Sequence, residues 1–179
     1  MEQFQFSFNV ISWAIMLVAF GISARSPNIR WLIGTLTLVK TLDIVILDVI
    51  LTWGAFYYVA ISLLDLTVIL LVIYRQATAN WVAAREWGIL SKIAHYSSKY
   101  YQFTSNEMSI IGILCLSIII NLFSAIEQGI RHYTDFNPMF IYDTFPYLKF
   151  ALSGLLLMAL ISVAIDAAKN YYQDRQSFR

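Results

Sequence analysis

Five stretches of the chain, each about twenty residues long, are predominantly apolar with at most three charged residues apiece, and nothing else in the sequence limits the fold so strongly. A helix needs about 20 apolar residues to cross the roughly 30 Å hydrocarbon core of a bilayer. The stretches cover residues 4–23, 31–50, 54–74, 108–127 and 147–168. They are about twice the length of an outer-membrane strand and lack its period-two alternation. Inside a bilayer a helix satisfies its own backbone polar groups, whereas an isolated strand cannot. The expected fold is therefore all-α: a polytopic membrane protein forming one domain over residues 1–179. It comprises a bundle of five transmembrane helices, a cytoplasmic amphipathic helix within 75–107 and an outer loop over 128–146. Composition agrees, since 59% of residues are hydrophobic and 13% charged, against about 45–50% and about 25% in soluble domains.

Lysine and arginine set the orientation of such a chain. Arg25, Arg30, Arg75, Arg85, Lys92, Lys99, Lys169, Arg175 and Arg179 fall on one side of the five-span arrangement. Arg131 and Lys149 fall on the other, and Lys40 lies within a span. Nine cations against two predict an outside N-terminus, a cytoplasmic C-terminus and residence in the plasma membrane (the cell inner membrane in a Gram-negative organism). The first span lacks a basic leading segment and reads as an uncleaved anchor. Trp31, Trp53, Tyr74, Tyr147 and Tyr171 lie near the span boundaries, as an interfacial aromatic belt requires. Trp13 lies mid-span and is expected to pack against a neighbouring helix.

Ionisable groups at membrane depth are costly, about 2.5–3.5 kcal/mol each on insertion scales. Spans two and three nevertheless contain Lys40, Asp43, Asp48 and Asp65. Lys40 and Asp65 fall at the same depth on adjacent antiparallel helices, which predicts an ion pair between them. Asp43 lies one turn from Lys40, Asn121 of span four lies at the same level, and Asp48 lies near the outer interface. Lys40, Asp43, Asp65 and Asn121 thus form the expected intramembrane polar layer. It serves either as a structural lock between helices or as a hydrated, cation-binding path.

On the cytoplasmic side, Arg85, Lys92 and Lys99 are spaced by seven and form a basic stripe on the expected helix. Val82, Ile89, Ile93, Tyr96 and Tyr100 share the adjacent face. An apolar face flanked by cations is the pattern of a helix lying on anionic inner-leaflet lipid. A cytoplasmic protein partner is the alternative occupant. Three cations are too few to favour nucleic acid. The apolar run 136–142 of the outer loop is expected to pack back on the bundle.

The chain shows no signature of catalysis. It contains no H-E-x-x-H, no phosphate-binding loop and no G-x-G-x-x-G. His95 and His132 fall on opposite sides of the membrane, and Cys115 reads as a small packing residue within span four. No enzyme activity, catalytic residue, metal or cofactor is expected. The leading expectation is a small homo-oligomeric channel or ion-conducting protein, with spans two and three lining the polar path. The competing class is a non-conducting membrane anchor or sensor that recruits a cytoplasmic protein in a defence, secretion or exclusion system.

Overall fold

The computed structural model describes residues 2–23, 26–54, 56–85, 87–99, 101 and 103–177, with side chains described at those positions except 2–9, 48, 167 and 170–177. Arg25, Tyr100 and Arg179, and the side chains of Asp48, Tyr171 and Arg175, therefore lie outside the described residues. All regular structure among the described residues is helical: α1 (Glu2–Ile22), α2 (Pro27–Leu51), α3 (Phe56–Ile73), α4 (Arg75–Ala83), α5 (Ile89–Lys99), α6 (Ser105–Tyr133) and α7 (Phe140–Ser177).

Among the described residues, three helices are long and apolar enough to cross a membrane: Phe56–Ile73, Ser105–Tyr133 and Phe140–Asp166. In each, only about a quarter of the most apolar stretch is buried within the protein. The remaining apolar surface, including Leu63, Leu70, Leu116, Phe123, Leu155 and Met158, points outward, as a lipid-facing surface does. The 25 residues of α2 would span roughly 37 Å at 1.5 Å per residue. Its Arg30, Lys40, Asp43 and Asp48 make it too charged to qualify on apolarity. On α1 the described apolar stretch is Val10–Ile22.

The helices run up and down, α3 against α6, α6 against α7, and α1 against α2 and α7. Sequence explains the principal seam. On α6 the buried positions are Glu107, Ile110, Leu114, Ser117, Asn121, Ser124 and Glu127, separated by steps of three and four. On α3 they are Tyr58, Ser62, Ile69 and Val72. Such spacing puts one stripe of each helix in register with the other. The serines let the two backbones approach closely, as small residues do between membrane helices.

The core is one-ended. Leu32, Ile33, Leu36, Ile69, Val72, Ile110, Leu114, Leu160, Val163 and Ala164 pack together with Met16 and Ala19 of α1. These positions come from the early part of α2 and α6 and the later part of α3 and α7. The tightly packed half therefore lies away from the α2–α3 turn. That turn is closed by Gly54 at φ +60°, a conformation that costs glycine little and other residues more. Trp13 donates its indole N–H to Thr41 Oγ1 at 2.8 Å, the interhelical contact expected of it. Gly34 lies against the Phe20 ring, so α1 and α2 are close there.

Three expectations change. The segment 75–107 is not one amphipathic helix. It folds as the α4–α5 hairpin, broken where Gly88 adopts φ +60°, so Arg85 leaves the helix and the heptad-spaced stripe is interrupted. The face that α5 buries is made of Ala94 and Ser97, and α5 packs on α2. Ile89 and Tyr96 are exposed, because small residues permit the closest approach to a neighbouring helix. Cys115 is exposed on the outer surface of α6 instead of packed inside, since the buried stripe runs through Leu114 and Ser117. Finally, the connection between α6 and α7 narrows to 134–139, and Phe136 and Phe140 are exposed.

Candidate functional site: a cavity at the polar layer

Between α2, α3, α6 and α7 lies a cavity of about 690 Å³, within the roughly 300–1,000 Å³ of small-molecule sites. It reaches the helix ends at Leu51, Gly54 and Tyr142 and ends against Leu36, Leu114 and Leu160 of the packed core. The polar layer lies between these limits.

Asp65 is the hub of the layer. Ser117 donates to its Oδ2 at 2.6 Å and Asn121 Nδ2 donates to the same oxygen at 3.2 Å. The Lys149 ammonium stands 3.8 Å from that oxygen and donates to Ser117 Oγ at 2.7 Å. All these contacts fall on Oδ2, so among the described residues Oδ1 keeps its acceptor capacity. Asp65 is positioned by the α3–α6 seam, in which it lies one step from Ser62. Lys149 is carried in by α7, about nine residues or roughly 13–14 Å from that helix's first residue.

The ion pair expected between Lys40 and Asp65 does not form. Lys40 instead donates to Asp43 Oδ2 at 3.0 Å, one turn along its own helix. The reason is packing: the Asp65 face of α3 meets α6, which brings α7 and its lysine to the carboxylate. Lys40, Asp43 and Asp65 line the cavity together with Lys149 and Ser117. Asn121 is fully buried behind them. The four residues expected in the layer are thus brought to one region, and Lys149 and Ser117 join them. A polar step of four within an apolar run, from Ser117 to Asn121, is the kind of sequence signal that could have found the second of these. Nothing in the local sequence marks Lys149 as the partner of Asp65.

Above the layer, aromatic rings line the cavity. Tyr57 and Tyr58 stand edge to face at 5.3 Å, and Tyr58 and Phe145 at 5.1 Å. Lys149 Nζ lies 6.0 Å from the Phe145 ring centre. Nearby, Glu127 closes the start of α7 by accepting from the backbone N–H groups of Ile141 and Tyr142, at 3.2 and 2.8 Å. A carboxylate there satisfies otherwise orphaned donors and complements the positive helix end.

A second buried pair lies at the opposite end of the bundle. Arg75 Nη1 stands 2.9 Å from Glu107 Oε1, both side chains 1% exposed, and the guanidinium also lies over the Tyr101 ring at 5.0 Å. Burial draws the Arg75 guanidinium below its ordinary value, with Glu107 and Tyr101 acting the other way; a guanidinium stays charged all the same. Thr104 and Glu107 form a capping box at the start of α6, with Thr104 accepting from the Glu107 N–H at 3.4 Å. The T-x-x-E spacing is the sequence signature that marks this end.

Of the basic stripe, Arg85, Lys92 and Lys99 are exposed on the hairpin, beside the exposed rings of Trp81, Trp87 and Tyr96. Arg85 stacks on Trp81 at 4.4 Å. No group of three or more His, Cys, Asp or Glu among the described residues could hold a metal ion. Comparison with family models, curated proteins and solved structures finds no match for this chain.

Proposed function

We propose that the chain is a membrane-embedded binding protein whose cavity admits a solute or lipid from the outer side and holds it at the polar layer. In this reading α1, α2, α3, α6 and α7 all cross the bilayer, giving five spans. The arginine- and lysine-rich end, where the core is packed, faces the cytoplasm. The observation that carries the proposal is the 690 Å³ cavity into whose wall Lys40, Asp43, Asp65 and Lys149 are built. Costly groups at membrane depth belong at functional sites unless they are locked in dry packing, and these four border a space.

The conduction expected from the sequence draws on the same cavity. It further requires the aliphatic plug below the layer to open, or several copies to assemble around a shared path. The α4–α5 hairpin supports a contact with anionic inner-leaflet lipid through Trp81, Trp87, Arg85, Lys92 and Lys99. The anchor reading would instead place a cytoplasmic protein on these residues.

Single cysteines introduced into a Cys115→Ala background test the cavity. Tyr57→Cys and Ser153→Cys should react with a membrane-impermeant thiol reagent added outside intact cells. Val72→Cys, in the plug, should react from neither side. Reaction of both cavity positions only from the cytoplasmic side, or from neither side, refutes the proposal.

A further inference from the structure

We infer that the cavity takes a single-chain zwitterionic amphiphile with an ammonium head, an anionic group next to it and an aliphatic tail. This inference rests on the binding reading above and specifies its ligand. Three observations, ordered along the cavity, carry it.

The mouth is aromatic. Tyr57, Tyr58, Tyr142 and Phe145 line it; the Tyr142 ring already carries the Arg131 guanidinium at 4.3 Å, and Tyr57, Tyr58 and Phe145 form an edge-to-face cluster. Aromatic faces attract ammonium groups, and quaternary ammonium most of all, because such a cation sheds its water readily.

The middle is charged but balanced. Lys40 with Asp43 and Lys149 with Asp65 give two cations and two anions. A ligand with net charge would leave one buried charge uncompensated, which is costly. A zwitterion keeps the balance. Lys149 is the group most able to receive an anion, since its carboxylate lies at 3.8 Å, longer than a direct hydrogen bond. Its one hydrogen bond among the described residues goes to Ser117, which leaves further ammonium donors.

The floor is aliphatic. Leu36, Val68, Leu114, Leu156 and Leu160 close the cavity, a surface that gains from an alkyl chain and gives nothing to a polar one. Read from mouth to floor, the wall offers aromatic rings, then lysine, then aliphatic side chains. A ligand of matching order carries its cation outermost, its anion next and its tail innermost. A phosphocholine-type amphiphile has that order, whether it comes from the bilayer or from solution.

Native mass spectrometry of the maltoside-solubilised protein tests this. Lauroyl lysophosphatidylcholine should bind one per chain, at least tenfold tighter than lauroyl lysophosphatidylglycerol, which has the same tail and a net negative head. Glycerophosphocholine, the same head without a tail, separates the sources: tight binding would assign the site to soluble head groups and overturn the requirement for a tail. Equal affinity for the two lysolipids overturns the inference without any mutant. Lys149→Gln should weaken lysophosphatidylcholine at least tenfold, and Leu156→Trp, which fills the floor, should abolish binding; wild-type affinity in either variant also overturns it. If the cavity cysteines react from outside but neither lysolipid binds, the ligand assignment fails while the binding cavity stands. If they do not react, the binding reading itself fails.

Discussion

Arg75 and Glu107 tie the start of the α4–α5 hairpin to the start of α6, and their contribution can be worked through. The two charges are 2.9 Å apart and each side chain is 1% exposed. At an effective dielectric constant of about 20, their attraction is roughly 6 kcal/mol. Desolvating each ion costs several kcal/mol, so the pair as a whole adds little net stability. The asymmetry appears on cutting it. Arg75→Met leaves the Glu107 carboxylate buried without its cation, at a cost of about 3–5 kcal/mol. For a chain of this size about 1 kcal/mol corresponds to roughly 2–4 °C in Tm, so the single variant should melt about 6–20 °C lower. Arg75→Met combined with Glu107→Gln removes both charges and keeps the side-chain volume and the Thr104 cap. It should recover at least half of the loss. Tryptophan fluorescence during thermal unfolding in maltoside provides the readout. A double variant that loses the sum of the two single losses would show that the residues do not couple, and the reasoning would be refuted.

Glu127→Gln should loosen the first turn of α7 by about 0.5–1 kcal/mol, the worth of a charge at a helix start. Hydrogen exchange at Ile141 and Tyr142 would then quicken about two- to fivefold; unchanged exchange counts against the cap. Gly88→Ala forces a side chain into a left-handed conformation, at about 1–2 kcal/mol, and should raise proteolytic cutting between α4 and α5. Gly34→Ile drives a branched side chain into the Phe20 ring, which a Cβ alone would approach to 2.9 Å. Overpacking of that kind costs about 1–3 kcal/mol and should change Trp13 fluorescence by breaking its bond to Thr41.

The helical class was legible because apolar runs of membrane length admit few other structures. Lys40, Asp43, Asp65 and Asn121 stood out in sequence because charge and amide groups are scarce in such runs. Their pairing did not, because it depends on which helices touch. Residues on neighbouring helices in the sequence were expected to meet, yet the Ser117–Asn121 stripe of α6 draws α3 to itself and α7 delivers the cation. The break at Gly88 was readable in principle: a glycine between two short amphipathic runs ends a helix at low cost. The helical periodicity of the cations masked it. Arg75 was counted as a surface charge because a lone arginine beside a span looks like an orientation signal. Only Glu107, thirty-two residues later, makes it a buried one.

The rest of α5 on α2 gives the bundle a mechanical property. The hairpin joins the end of α3 to the start of α6 and packs on α2 near its Pro27 end, while the turn at Gly54 lies at the far end. Between them, Leu32, Ile33 and Leu36 are held in the core. A stiff rod pinned roughly 10 Å from one end and about 25 Å from the other, by helix rise, multiplies displacement by about two and a half. A shift of about 1 Å at the hairpin end would move Asp43, about 14 Å beyond the pivot, by roughly 1.3 Å and Leu47, about 20 Å beyond it, by roughly 1.9 Å. Displacement at the Pro27 end of α2 is thereby geared to the width of the cavity near its other end.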